Sequence, residues 1–312
     1  MAGEMWLNAA LGGVLGLLVG SFLNVVIHRL PQMMHRDWLH QMAANLTPPG
    51  GEPGIWAIVF GPNRPAPPNT EQVGHDLGAA VTALPKFDLL VPRSRCPHCG
   101  HQIRWFENVP ILSWLALRGR CAQCHTPIAW RYPLVELATG LLFAWCAWRW
   151  GLTAAGLVWA GFSALLICMT LIDWDTTLLP DSLTLPLLWA GLIASMLGIT
   201  GVPLASAVWG AIGGYMSLWL VYQAFKLLTG KEGMGFGDFK LFAALGAWFG
   251  WTALVPMILM ASVIGAIIGI GLKLTHGLRE GQYVPFGPFL ALAGLTAMVF
   301  GPQSILRAMG LG

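Results

Sequence analysis

The stretch "GLTAAGLVWAGFSALLICMTLIDWD", Gly151 to Asp175, decides the fold. Its first 22 residues, Gly151 to Ile172, carry no charge, and then two aspartates follow within three positions. About 20 consecutive apolar residues are enough to cross a bilayer as a helix. The run therefore reads as a membrane span that ends on a carboxylate, Asp173.

The rest of the chain has the same character. Of 312 residues, 56% are hydrophobic and 10% charged, 16 are tryptophan, and the mean hydropathy is +0.65. Those values lie outside the range of ordinary soluble domains. Six further long apolar stretches run from Leu7 to Ile27, Pro133 to Trp150, Leu183 to Leu197, Pro203 to Leu228, Thr252 to Leu274 and Val284 to Phe300. A shorter one, Phe239 to Gly250, makes eight with Gly151 to Ile172. The expected fold is an all-α polytopic membrane protein of about eight transmembrane helices, its shorter spans tilted or supported by neighbours. No Lys or Arg precedes the first apolar run, so that run reads as an uncleaved helix and not a signal peptide. No internal repeat is evident.

Orientation follows from the basic residues. Fifteen of the 17 Lys and Arg fall on one side of the proposed spans, and only Arg149 and Arg307 fall opposite. The positive-inside rule makes the first side cytoplasmic and both termini periplasmic. The expected organisation is a first transmembrane helix over 1–28, a cytoplasmic loop over 29–132, and a membrane bundle over 133–312. The loop carries ten basic and six acidic residues and faces lipid headgroups, an excess that reads first as a topology signal. Nucleic-acid binding is not expected, since no aromatic-basic interleaving or known module is present. Segments 47–54 and 61–68 are dense in Pro and Gly and read as irregular.

Within the loop, Cys96 and Cys99 form one C-x-x-C, and Cys121 and Cys124 another, with 21 residues between them. The spacing is close to that of a zinc ribbon. Two thiolate pairs from two tight turns close a tetrahedron around Zn²⁺ with no open position, which favours a structural site. A disulfide framework is the competing reading, disfavoured by the reducing cytoplasm. The zinc-binding lobe is expected over about 93–131, between helices 1 and 2. His98, His101 and His125 read as bystanders, and Cys146 and Cys168 as small buried hydrophobes.

Two acidic positions carry the chemistry. "GMGFGDFK", Gly233 to Lys240, puts Asp238 between a glycine run and an apolar segment, and "LIDWDTTLLPD" puts Asp173, Asp175 and Asp181 at the end of a span. Ionisable residues at membrane depth line cavities or pair with something. The proposed topology brings Asp173 and Asp238 to the same face. Two carboxylates sharing a proton can serve as general base on water and general acid on a scissile peptide, titrating as a coupled pair. Gly235 and Gly237 would let a substrate strand pass close to the aspartate. The bland alternative is that the acids cap helices and fix the interface.

In order along the chain stand "GSFLNVVIHRLP" (Gly20 to Pro31), the paired C-x-x-C, "WFENVPILSW", "RGRC", "RYPLVE", "IDWDTTLLPDSLTLPLLW", "GMGFGDFKL" and "PFGPFL". Over nearly its whole length the chain resembles the type IV prepilin peptidases. The resemblance implies a G-x-G-D membrane aspartic protease of the bacterial inner membrane that cleaves leader peptides from prepilins or pseudopilins after glycine, with Asp173 and Asp238 as the catalytic pair. It also implies a second activity, methylation of the new N-terminal amine from S-adenosylmethionine. No soluble nucleotide-binding fingerprint accompanies that second activity. Asp175 and Asp181 are then secondary, orienting the loop or touching substrate. Glu136, Asn24, Arg29 and Glu107 are candidates for substrate or cofactor contacts, with helix packing and interface anchoring as the equal alternative. The segment between Pro31 and Arg93 is longer than in the simplest members of the family. Two rivals stand beside this reading: a transporter using Asp173 and Asp238 as a proton or cation relay, and a zinc-dependent scaffold with inert aspartates.

Overall fold

The computed structural model describes residues 2–48, 54–275 and 284–310. Among them the structure is nearly all helical, with two isolated β-bridges and no strand. Helices α1 (Ala2–Leu46), α2 (Ile55–Phe60), α3 (Thr70–Thr82) and α4 (Leu112–Ala116) precede the bundle. The bundle follows as α5 (Arg131–Trp150), α6 (Ala154–Thr176), α7 (Asp181–Met196), α8 (Leu204–Thr229), α9 (Phe236–Phe249), α10 (Leu254–Leu274), α11 (Gly287–Phe300) and α12 (Pro302–Ala308).

Each of the eight apolar stretches is a helix. Four helices, within α1, α6, α8 and α10 with its 3₁₀ lead-in, are long and apolar enough to cross a membrane alone. The pair α11 and α12 qualifies together, bent by 104°. At 1.5 Å per residue, the 16 residues of α7 and the 14 of α9 reach only about 24 and 21 Å. The shorter α9 is lodged inside the bundle instead of facing lipid: ten of its residues, from Asp238 to Trp248, are buried. This is a polytopic membrane protein with a short helix at its centre.

Glycines make that centre possible. Helix α9 packs against α7, α8 and α11. At the α8 crossing, Gly210 and Gly246 meet backbone to backbone, and a Cβ on Gly214 would lie 2.6 Å from the Phe242 carbonyl. On the α7 side, Gly191 accommodates the Trp248 ring, whose Nε1 donates to the Leu187 carbonyl at 2.9 Å. Small residues that let backbones approach are the usual means of helix association in lipid. Helix α1 uses the same device against α5, where a Cβ on Gly16 would come within 2.6 Å of the Phe143 Cβ and one on Gly20 within 2.7 Å of the Glu136 Cα.

The described chain divides into two compact units, Met1–Ile27 with Arg104–Gly312, and His28–Ile103. The first helix does not stop at 28: α1 continues through Pro31 to Leu46. A proline inside a helix removes one amide and leaves one carbonyl without its helical partner, yet a single such defect does not stop a 45-residue helix. In the second unit α3 packs on α1, with Gly74 against Leu46 and Thr47. Residues 61–69 are irregular, as their Pro and Gly content predicts, whereas α2 and α3 give the flanking chain helical order. Residues 49–53 of the other breaker-rich segment, and Arg279 of the basic count, lie outside the described residues.

Candidate active site

The site is built where one helix ends and another begins. Asp173 lies one turn before the C-terminus of α6, which closes on Thr177 in the left-handed conformation (φ 54°), the Thr177 amide donating to the Asp173 carbonyl at 2.8 Å. Asp238 is the third residue of α9, whose start is set by the glycine run, with Gly235 at the N-cap and Gly237 inside the first turn. Both side chains are buried, 5% and 7% exposed, and are close enough for their charges to interact.

Their surroundings are mostly apolar and glycine-lined. The Gly287 backbone amide faces the Asp173 carboxylate, and a Cβ at position 287 would lie 2.5 Å from Asp173 Oδ2. Asp173 Oδ2 and Asp238 Oδ1 are buried with no hydrogen-bond partner among the described residues. A buried polar atom left without a partner costs about 1–3 kcal/mol, and more when charged. A fold that keeps two of them on a pair of interacting acids holds acceptor sites ready for a water or a peptide group.

The secondary acids are paired. Asp181 opens α7 and accepts from Lys240 Nζ at 2.6 and 2.8 Å, which clips α7 to α9 two residues beyond Asp238. Asp175 pairs with Arg131 Nη1 at 2.6 Å, joining the end of α6 to the start of α5. Glu136 is buried in α5, and its Oε2 accepts the Ile111 amide at 2.8 Å. Ile111 has φ 59° and ψ −48°, a conformation a β-branched residue rarely adopts, so Glu136 holds a strained turn at the head of α4. Asn24 Nδ2 donates to the Tyr132 carbonyl at 3.1 Å, from α1 to the start of α5.

Arg29 is buried in the second unit, donating to the carbonyls of Asp88 at 2.8 Å and Pro92 at 2.6 Å and lying over the Phe87 ring. Glu107 accepts from the Arg104 amide at 2.9 Å and caps the short 3₁₀ turn Trp105–Asn108. The structure therefore brings Asp173, Asp238, Gly235, Gly237 and Asp181 to one end of the bundle, and gives Arg29 and Glu107 local structural partners. Lys240, Gly287 and Leu179 of the α6–α7 loop belong to this neighbourhood as well. The sequence signal for them was their place inside "GDFK", "PFGPFL" and "LLPD".

The two C-x-x-C segments adopt one geometry twice. In the first, Arg95 bridges Gln102 and the Cys96 amide donates to the His101 carbonyl; in the second, Arg120 bridges Pro127 and the Cys121 amide donates to the Thr126 carbonyl, both bonds 2.9 Å. Four residues past each first cysteine the chain turns left-handed, at Gly100 (φ 72°) and His125 (φ 56°). This eight-residue repeat is hidden in the sequence because only Arg and the two cysteines coincide. The four sulfurs lie within 4.8 Å of one another and could hold a metal ion.

A multi-pass helical membrane protein that buries two interacting carboxylates, one at a helix end and one behind a G-x-G turn, has the architecture of a membrane-embedded aspartic peptidase. Comparison with known proteins gives the family. Residues 14–150 match the Bacterial Peptidase A24 N-terminal domain and residues 159–270 match the Type IV leader peptidase family. The chain is 50% identical to the prepilin leader peptidase/N-methyltransferase of Stutzerimonas stutzeri over 295 residues, covering 93% of this chain and 90% of that protein. It is 47% identical to the protein of the same name from Aeromonas hydrophila, covering 98% and 94%, and 46% identical to that of Pseudomonas aeruginosa, covering 93% and 89%. No solved structure matches. The chain belongs to the type IV leader peptidase family.

Proposed function

We propose that the protein cleaves the leader peptide from type IV prepilins or pseudopilins with Asp173 and Asp238 as the catalytic pair, and N-methylates the new terminus. The observation that carries the peptidase reading is the pair of buried carboxylate oxygens, Asp173 Oδ2 and Asp238 Oδ1, without hydrogen-bond partners among the described residues, on two acids close enough for their charges to interact. With one proton shared between them, the ionised carboxylate takes a proton from water as its oxygen bonds to the scissile carbonyl carbon. The protonated carboxylate donates to the amide nitrogen as the C–N bond breaks. Gly237 and Gly287 let Leu179 and Asp173 pack close at the site, and Asp181–Lys240 and Arg131–Asp175 hold the contributing helices in register. The basic residues at this end, Lys226, Lys231 and Lys240, favour a cytoplasmic site in the bacterial inner membrane. A substrate with a basic leader ahead of an apolar helix would present its junction at that depth.

Cys96, Cys99, Cys121 and Cys124 would hold Zn²⁺. Zn–S bonds of about 2.3 Å put tetrahedral sulfurs about 3.8 Å apart, which the observed spread of up to 4.8 Å accommodates with small movements. Bound zinc would staple the two knuckles and contribute folding energy to a segment with little core. The methylation reading rests on the relatives, and S-adenosylmethionine would supply the methyl group. A cavity of about 550 Å³ among Trp209, Gly213, Phe242, Trp251 and Leu254 does not fit that ligand: its rings could face a sulfonium, but its lining has no charged side chain to pair with an amino-acid end. No step is assigned through it.

The test is purified protein incubated with a prepilin and S-adenosylmethionine, the products read by mass spectrometry, beside Asp173→Asn and Asp238→Asn. Cleavage by the wild type and its loss in both variants are expected, with a methyl on the mature N-terminus. A folded wild type that cuts nothing returns the transporter reading of the two acids.

A further inference from the structure

The α6–α7 loop has four residues, Thr177 to Pro180, and both of its ends are fixed. At one end the Thr177 amide is bonded to the carbonyl of Asp173 itself. At the other, Asp181 is held by Lys240, two residues from Asp238. A loop this short, pinned at both ends, acts as a wedge whose side chains keep their places. Its third residue, Leu179, enters between the two helices that flank the acids. The Cβ that an alanine would carry at 237 would lie 2.6 Å from Leu179 Cβ, and one at 287 would lie 2.9 Å from Leu179 Cδ1 and 2.5 Å from Asp173 Oδ2.

Leu179 therefore touches the residue next to Asp238 and shares with Asp173 the bare surface of Gly287. It is only half-buried, while Pro180 behind it is buried, so part of its side chain is open to solvent or substrate. A peptide strand that reaches the unpartnered oxygens of Asp173 and Asp238 must run along this isobutyl group.

We propose that Leu179 is the specificity-determining wall of the site, limiting the side chain beside the scissile bond to a small one. This assignment rests on the peptidase reading. Gly237 and Gly287 are bare because Leu179 occupies the volume their side chains would need, and the space left for substrate is set by the leucine's size. In an apolar pocket a single methylene changes discrimination by roughly 10- to 200-fold.

The experiment uses the full-length protein in lipid vesicles with a prepilin bearing glycine, alanine or valine immediately before the scissile bond. The wild type is compared with Leu179→Ala, Leu179→Met and Leu179→Phe by kcat/KM. Leu179→Ala is expected to lower the preference for glycine over valine by roughly tenfold or more. Leu179→Met, of similar volume, is expected to keep the wild-type preference, and Leu179→Phe to lose alanine while still cutting glycine. Should Leu179→Ala fold poorly, the Phe and Met variants carry the same comparison. Variants that cleave with an unchanged glycine-to-valine ratio overturn the assignment and leave the peptidase reading standing. A folded wild type that cleaves none of the three substrates removes both.

Discussion

Gly287 presents bare backbone to Asp173: a methyl group there would stand 2.5 Å from Oδ2, inside any real carbon–oxygen contact. The carboxylate could escape it only by leaving its present position. Gly287→Ala is therefore expected to reduce cleavage at least 10²-fold, the order of loss that a misplacement of about 1 Å brings. The helical circular dichroism of the variant should stay near wild type, since α11 is otherwise untouched. Near-normal cleavage would mean that the Asp173 position seen here is not the working one.

The Asp181–Lys240 pair is half-exposed, with side-chain accessibilities of 57% and 28%, so its contribution to stability is small, roughly 0.2–1 kcal/mol. Its effect on catalysis is expected to be larger, because it fixes α7 on α9 beside Asp238. Lys240→Ala and Asp181→Ala should each lower kcat several-fold with little change in thermal stability. The double variant should be no worse than either single one, the signature of two residues acting through one contact. Additive losses in the double variant would show separate roles, one of them on the substrate.

Much of the fold was legible because apolar length is a direct physical signal: every long apolar run became a helix. The limits of α1 were not, because the apolar run ends at Ile27 while the helix continues through polar residues and Pro31 to Leu46, a long helix tolerating one missing bond. The burial of α9 was not legible either, since its 14 residues look like a poor membrane span until Gly210, Gly214 and Gly246 are seen meeting backbone to backbone. The meeting of Asp173 and Asp238 could be argued from alternating topology alone. The parts that depend on shape, Leu179 between two glycines and Gly287 beneath a carboxylate, needed coordinates.

Glu136 satisfies the amide of Ile111 in a strained turn. Glu136→Ala leaves that amide without its partner and should destabilise the turn by about 1–3 kcal/mol. Faster limited proteolysis between residues 109 and 113 would reveal it. Glu136→Gln keeps an acceptor oxygen and should protect the turn nearly as well. Equal protection in all three proteins would show that the turn stands without Glu136.

Asp88 accepts the amides of Leu90 and Val91, each at 2.7 Å, in the same turn whose carbonyls bind Arg29. Those amides, first Leu90 and then Val91, with Lys86 adding to them, hold its carboxyl below the ordinary value of 3.8. A lowered folded value means that the stabilisation is fully present above the unfolded value and is lost as pH falls through the folded one. Hydrogen exchange in residues 85–92 should thus be pH-independent, after correction for intrinsic rates, from neutrality down to about 4, and the protection should fall away only below that. Asp88→Ala should show the unprotected behaviour at every pH.

The repeated knuckle geometry makes the four cysteines equivalent in a way that a disulfide pair would not. If each offers one thiolate to a single ion, then any one Cys→Ser change, at 96, 99, 121 or 124, should remove most of the bound zinc from the purified protein, as read by metal analysis. The same change should loosen the knuckle on the other arm as much as its own, because one ion holds both, and hydrogen exchange at Gly100 and His125 would report the two turns separately. A chelator should reproduce the effect in the wild type and a reductant alone should not. Loss of protection confined to the mutated arm, with zinc retained, would exclude a shared four-sulfur site.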